Sequence, residues 1–327
     1  MEYLSLAVRN LTKKYGEKTV LDHLSFEMPE SGVYALLGTN GAGKTTAIRM
    51  MLGMLSRDEG EVLWRGKPLD TATCNVGYLA EERGLYPKYA LMDQLIYFAG
   101  LRGVSRTDAK KRIRYWADRL EVGEYLYPAI PATPALGERY RVRRVKTTPP
   151  KKADQLSKGN QQKIQLMTAL ISDPELLILD EPLSGLDPVN SDLFKSIIRE
   201  EIAKGKYLIM SSHQMATVEE FCDDITILNR SKTVLQGHLP TIKKAYGRVN
   251  LSLKTEGDIT PYLPGSGVSI MYAKGFEYML KVENERCANT LLTRLLADEI
   301  PVITFDLSEP TLHEIFIEKV GDVHEDS

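Results

Sequence analysis

The residues Gly38-Thr39-Asn40-Gly41-Ala42-Gly43-Lys44-Thr45-Thr46 combine what is needed to hold a polyphosphate. Glycines let the backbone curl so that several N–H groups point inward. A helix starting near Lys44 adds its positive end, and Lys44 itself supplies a full charge for β- and γ-phosphates. The Thr45 hydroxyl is then available to magnesium. The spacing fits Gly-x-x-x-x-Gly-Lys-[Ser/Thr] and lies between an apolar run, Val33 to Leu37, and an amphipathic one, Ala47 to Leu55, as that motif requires. Alone, such a loop suits kinases, GTPases and transport motors equally.

A second centre of chemistry follows Leu176-Leu177-Ile178-Leu179, which ends in Asp180-Glu181-Pro182. A short, wholly apolar run reads as a parallel strand buried on both faces, and open α/β sheets bind ligands at the carboxyl ends of such strands. Side chains alternate along a strand, so one carboxylate can face the magnesium shell while its neighbour points to where an attacking water sits. Burying a carboxylate without a partner is expensive, which argues that these acids have a task. Tyr207-Leu208-Ile209-Met210 ends in Ser211-Ser212-His213 and delivers His213 to the same sheet edge. Ser157, before Lys158-Gly159-Asn160, is suited to cap a helix whose N-terminus is then offered to an anion. Tyr15 lies in the polar stretch Lys13 to Lys18, read as an exposed turn, where an aromatic ring has little purpose unless it lies against something flat.

These residues need a scaffold, and the hydrophobic pattern supplies one. Residues 3 to 28 alternate as antiparallel strands, Glu61–Trp64 and Asn75–Leu79 read as further strands, and Met92 to Tyr125 turns helical. Leu91, Leu95, Ile96 and Phe98 form one helix face and Ile113, Trp116, Ala117 and Leu120 another, the second helix opening with a Ser105/Asp108 capping pair. From 128 to 152, five prolines and seven basic residues break the pattern, which predicts an inserted loop or arm. Asp187-Pro188 opens the helix bearing Phe194, Ile197, Ile198 and Ile202.

With 43% hydrophobic and 26% charged residues, the 327-residue chain has the balance of a globular protein with one large domain and a smaller one. A net charge of -2 gives no global attraction for nucleic acid, and no direct nucleic-acid binding is expected. No apolar run approaches the roughly 20 residues of a membrane helix, and Met-Glu-Tyr-Leu does not begin a secretory leader, so a cytoplasmic setting is expected. Cys74, Cys222 and Cys287 are mutually isolated, as buried free thiols in a reducing compartment would be.

In their order, GTNGAGKTT, LSKGN, LLILDEP, SGLD and SSH resemble the nucleotide-binding subunit of ATP-binding-cassette (ABC) transporters, with a match from about residue 3 to residue 238. The resemblance implies an α/β P-loop ATPase core with an antiparallel edge and a helical subdomain, hydrolysing ATP with Mg2+. It implies that Tyr15 stacks on adenine, that Lys44 and the loop amides hold phosphates, and that Thr45 and Asp180 serve magnesium. Glu181 is then the general base, His213 bridges the γ-phosphate and the dimer partner, and Asp187 organises the interface. Ser157 and Gly159 supply phosphate contacts in a signature that carries Lys158 where glycine is usual and Asn160 where glutamine is usual. Glu81 stands where the family commonly has glutamine; an ionised carboxylate binds magnesium but donates no hydrogen bond. LSKGNQQK and EERGLYP look most like the exporter branch that includes sodium-efflux and drug-resistance ATPase subunits.

The resulting expectation is a nucleotide-binding domain at 1–240, with a helical subdomain at about 85–175, and an accessory α+β domain at 241–327. The expected assembly is a homodimer, or a heterodimer with a second ATPase subunit, bound to a separate membrane permease and peripheral on the inner face of the cell membrane. A competing reading, a soluble cassette ATPase acting on ribosomes or nucleic acid, is suggested by the basic insert. Such relatives generally carry two cassettes or a long coiled coil, whereas this chain has one phosphate loop and no sustained heptads. A nucleotide sensor without turnover is disfavoured by the retained Glu181.

Overall fold

The computed structural model describes residues 5–82, 84–127 and 151–325, with side chains as far as 320. Two compact units emerge, Met1–His213 with Arg230–Lys232, and Gln214–Asn229 with Thr233–Ser327.

In the first unit β1 (Leu6–Tyr15) and β2 (Lys18–Met28) form an antiparallel hairpin. The polar stretch read as a turn is mostly strand, because the ladder continues through Lys13↔Leu21 and Lys14↔Thr19 to Tyr15↔Lys18. Only Gly16 and Glu17 are left to make the turn. Lys13 is 6% exposed and donates to Asp58 Oδ1 at 3.1 Å, so burial there is matched by a charge-assisted bond.

The chain then forms β3 (Gly32–Gly38), α1 (Lys44–Met51), β4 (Glu59–Trp64), β5 (Lys67–Pro68) and β6 (Val76–Leu79). The amphipathic run expected to reach Leu55 stops as helix at Met51. Gly53 takes φ 70°, the Met54 amide turns back to Arg49 O at 2.8 Å, and the Gly53 amide to Met50 O at 3.1 Å, which closes the helix end.

Helices α2 (Leu91–Leu101), α3 (Arg106–Arg119) and α4 (Gly123–Leu126) follow, with Ser105 accepting from the Asp108 amide as expected. Leu91 and Leu95 are buried, while Ile96 and Phe98 are half-buried. A buried Gln94, which no periodicity announces, donates to Tyr86 O and Tyr89 O, both at 2.9 Å, and accepts from the Tyr86 amide at 2.8 Å, pinning the preceding loop to α2. The expected basic arm lies, from 128 to 150, outside the described residues. Lys151 and Lys152 do not belong to an arm. Lys151 N donates to Tyr125 O at 3.0 Å, the Lys151 ammonium lies over the Tyr125 ring, and Lys152 bridges Ala90.

Then come α5 (Lys158–Leu170), β7 (Leu176–Asp180), α6 (Pro188–Ala203) and β8 (Tyr207–Ser212). Strands β3, β8, β7 and β6 lie side by side in that order, all parallel. β7 is buried along its whole length, as its uniform apolarity predicted. A separate antiparallel sheet runs β2-β1-β4-β5. At the end of α6, buried Glu201 pairs with Lys204 at 2.5 Å and with Lys206.

The second unit holds α7 (Met215–Phe221), β9 (Asp224–Asn229), β10 (Lys232–His238, less its first residue), α8 (Leu239–Tyr246), β11 (Asn250–Thr255), β12 (Val268–Lys274), β13 (Glu277–Val282), α9 (Glu285–Ala297), β14 (Val302–Ser308) and α10 (Leu312–Glu325). Its antiparallel sheet β12-β13-β11-β14 alternates inward Leu251, Leu253, Tyr278 and Leu280 against Ala288, Leu291 and Leu295 of α9. Leu296 is exposed because it lies about 100° around the helix from the buried Leu295. Of the cysteines, Cys222 is buried, with burial pushing its thiol up, but Cys74 and Cys287 are only partly covered.

β6 packs so closely on α5 that a Cβ at Gly77 would stand 2.4 Å from Ala169 O and 2.8 Å from Pro174 Cγ. Backbone cannot yield as a flexible side chain does. Gly77→Ala is therefore expected to lower stability by about 2–3 kcal/mol in denaturant unfolding, near the upper end for overpacking.

Candidate functional site

β3 delivers the glycine-rich loop to the first turn of α1. Gly43 is the residue before that helix and takes φ 112°, a backbone state that side chains disfavour, and the Ala47 amide closes the first turn on Gly43 O at 2.9 Å. Lys44 is folded back over the loop. Its ammonium donates to Gly38 O at 2.7 Å and Thr39 O at 3.3 Å and lies 3.3 Å from Glu181 Oε1.

The carboxylates come from the end of β7, two strands away across β8. Asp180 is 1% exposed and Glu181 5%. Burial raises the Asp180 carboxyl above its ordinary value, opposed by the hydroxyls of Ser211 and Thr45; Glu181 raises it further and Lys44 lowers it. The Glu181 backbone has φ 49°, and His213 Nδ1 is 2.9 Å from Glu181 Oε2. Glu181 Oε1 faces Lys44 as an ion pair without hydrogen-bond geometry, and Asp180 Oδ2 is likewise buried with no hydrogen-bond partner among the described residues.

A cavity of about 320 Å³ opens here, lined by Asn40, Gly41, Gly43, Lys44, Thr45, Thr46, Glu81 and Glu181 together with Val20 from β2. Thus most of the sequence-derived residues meet in one cleft, with Asp180 and His213 attached through Thr45 and Glu181. Asp180, whose carboxyl the Thr45 hydroxyl also reaches, keeps one unpartnered oxygen, and such hard oxygens suit magnesium. Among the described residues no group of three or more His, Cys, Asp or Glu is arranged to hold a metal ion by itself. An ion here would therefore complete its shell with phosphate oxygens and water, as magnesium commonly does.

Gly38, Thr39 and Ala42 belong to the same loop without lining the cavity, and Tyr15, Ser157, Gly159 and Asp187 lie on other elements. Tyr15 is at the hairpin end, 56% exposed, with the Lys13 ammonium 5.4 Å from its ring centre. Ser157 caps α5 by accepting from the Asn160 amide at 3.3 Å, and Asp187 caps α6 by accepting from the Asn190 amide at 3.0 Å. A Cβ on Gly159 would meet Asn190 Nδ2 at 3.5 Å and Leu186 at 3.8 Å, so the two helix N-termini are neighbours. Two glutamines of α5, neither singled out in the sequence, join these helices to the cleft. Gln162 Nε2 donates to Pro182 O at 2.8 Å, and Gln165 Nε2 to Glu82 O at 3.1 Å. Their spacing of three on one helix was a usable signal. Ser211 carries a weaker signal, being one of two serines that end a buried strand.

Comparison with known proteins gives two matching families: ABC transporter over residues 21–184, and the C-terminal domain of DrrA1-3-like ATP-binding proteins over residues 237–320. The chain is 39% identical to the uncharacterized ABC transporter ATP-binding protein YhaQ of Bacillus subtilis, over 98% of its own length and 100% of that protein. It is 27% identical to the linearmycin resistance ATP-binding protein LnrL of the same organism, over 97% and 98% respectively. To the Nod factor export ATP-binding protein I of Ralstonia nicotianae it is 32% identical, over 71% and 66%. A solved ATP binding subunit of an ABC transporter superposes with a TM-score of 0.62 at 26% identity, covering 74% of this chain and 92% of that one.

At Gly43 an added Cβ meets Val20 O at 2.8 Å while the backbone keeps an unfavourable φ. Strain of about 1–3 kcal/mol at such a position falls on the folded protein itself. Gly43→Ala is therefore expected to lower the unliganded melting temperature by several degrees and, as the loop shifts to relieve the contact, to lose the thermal stabilisation that pyrophosphate gives the parent protein, both measured by differential scanning fluorimetry.

Proposed function

The chain belongs to the ABC transporter family of ATP-binding proteins, and from that premise we propose that it hydrolyses ATP to ADP and phosphate to drive a separate membrane permease, in the direction of export. The observation that carries the catalytic part is the meeting of Lys44, Glu181 and His213 in one cleft, at 3.3 Å and 2.9 Å from the Glu181 carboxylate. Lys44 and the loop amides of Thr39 to Gly43 take the β- and γ-phosphates, and a γ-phosphate entering the cleft competes with Glu181 for the Lys44 ammonium. Freed from that pair, Glu181 accepts the proton of the water that attacks the γ-phosphorus, and the bond to the ADP oxygen breaks. His213 holds the Glu181 carboxylate from its other oxygen. Thr45, Asp180 and Glu81 would hold magnesium, which when bound neutralises charge on the phosphate oxygens.

Tyr15 offers adenine one open ring face. Ser157 and Gly159, with Asp187 on the adjoining helix, are assigned to a second cassette's nucleotide, which supports a closed head-to-tail pair. The division into a nucleotide-binding domain at 1–240 and an accessory domain at 241–327 is part of this reading.

Export is supported by the relatives named for linearmycin resistance and Nod factor export. A separate permease is supported by the lack, among the described residues, of any helix long and apolar enough to cross a membrane. It is supported too by a largely apolar cavity of about 420 Å³ lined by β6, α2 and α5 and rimmed by the exposed Met54 and Leu101. A cytoplasmic segment of the permease is its assigned occupant, which would hold the protein at the inner face of the membrane.

Glu181→Gln is expected to reduce phosphate release at saturating ATP by roughly 10²–10⁴-fold, the usual worth of a general base, with ATP affinity retained. Lys44→Ala should weaken ATP binding itself. Near-parental turnover in the glutamine variant would overturn the role given to Glu181.

For the assembly, sedimentation of the Glu181→Gln protein with ATP and magnesium should give dimers that Ser157→Arg dissolves. Co-purification from detergent-solubilised membranes should bring down a multi-span partner. Monomers at high concentration, together with no membrane partner, would remove the transporter reading.

A further inference from the structure

Ser211 is wholly buried at the end of β8, paired in register with Asp180 on β7. Its single hydroxyl does two things. It donates to Asp180 Oδ1 at 2.5 Å, and it accepts the backbone N–H of Glu181 at 2.9 Å. Asp180↔Ser211 is the last pair of the β7–β8 ladder, so the next amide is met by this side chain rather than by a backbone carbonyl.

The Glu181 amide belongs to a residue with φ 49°, a left-handed state that costs an L-residue of order 1–2 kcal/mol and persists only where its surroundings impose it. The turn after it is closed by the Ser184 amide on Glu181 O at 3.1 Å, and the amide before it is closed by Ser211. That conformation turns the Glu181 side chain toward Lys44 and His213. On the Asp180 side, the hydroxyl engages Oδ1 and leaves Oδ2 buried and without a hydrogen-bond partner among the described residues.

We propose that Ser211 is the positioning residue that sets both carboxylates at once, fixing which oxygen Asp180 presents to a divalent cation and holding Glu181 in the backbone state that aims it into the cleft. The proposal rests on the hydrolytic reading above, yet it concerns geometry that a cation titration reads without turnover. Ser212, the next residue, cannot substitute, because successive side chains of a strand point to opposite faces.

The test compares the parent protein with Ser211→Ala and Ser211→Thr. Three quantities are measured for each: steady-state phosphate release, melting temperature, and Mn2+ affinity in the presence of ADP by electron paramagnetic resonance. Loss of a hydrogen bond that orients a ligating or catalytic group usually costs 10–100-fold. Ser211→Ala should therefore lower kcat and Mn2+ affinity roughly 10–100-fold, with KM for ATP changed less than about threefold. Ser211→Thr, which keeps the hydroxyl, should recover most of both. Parental kcat and Mn2+ affinity in the alanine variant would overturn the proposal. So would a fall in kcat, ATP affinity and melting temperature together that threonine fails to reverse, since that describes packing alone. Should Ser211→Ala not fold, Ser211→Cys, of nearly the same size with a weaker donor, is judged by the same two readings. If the parent protein releases no phosphate, the hydrolytic reading falls, and the Mn2+ titration still decides the role of Ser211.

Discussion

Lys44 carries a full positive charge with its side chain 6% exposed, and the chain must answer that charge from within. The carbonyls of Gly38 and Thr39 meet it from its own loop, and Glu181 meets it from a strand that is not its neighbour. In the order β3-β8-β7, the lysine loop and the acid-bearing strand flank β8. The strand between them therefore has to furnish whatever spans the gap at their carboxyl ends. Ser211 and His213 do so, one through the Asp180 carboxyl and the Glu181 amide, the other through the Glu181 carboxylate. The parallel register is what makes this work. A slip of one residue on β8 would turn the Ser211 hydroxyl to the opposite face of the sheet and strand both acids.

Much of this was legible because it is local. A phosphate loop, an apolar strand ending in two acids, and serine or aspartate caps before Lys158 and Pro188 are each written in fewer than ten consecutive residues, and the structure forms each of those local elements. What escaped depends on partners far along the chain. Lys13 looked like a turn residue because the Asp58 that permits its burial is 45 positions away. Ser211 and Asp180 are 31 apart, and the carbonyls that satisfy Gln94 belong to an irregular loop with no period to read. Glu201 is similar: a carboxylate on a helix next to lysines reads as solvated, yet here it is enclosed by Lys204 and Lys206.

The second unit follows a different logic, since among its described residues there is no comparable constellation and the order of its sheet comes largely from alternation. β11 and β13 sit in the middle of their sheet; β13 alternates, and β11 does so from Leu251 onward, beside a buried Asn250. β12 lies at the edge, where Ile270, Met271 and Tyr272 are all exposed and the register is interrupted between Ile270 and Tyr272. Apolar side chains stay exposed there, because an edge strand has a neighbour on one side only. A bulge in such a strand also hinders edge-to-edge pairing with other chains.

Helix α5 touches three places that its sequence does not connect: its N-terminus stands beside that of α6, Gln162 holds the loop after β7, and Gln165 holds the loop after β6. An α-helix rises about 1.5 Å per residue and resists bending, so these attachments lie along one stiff rod, Gly159 and Gln165 roughly 9 Å apart. Rotation of the rod about any one of them moves the other two by amounts that geometry fixes. The loop bearing Glu81 and the loop bearing Glu181 are thus geared to the same shaft, and neither can be repositioned by a force on the helix without the other registering it.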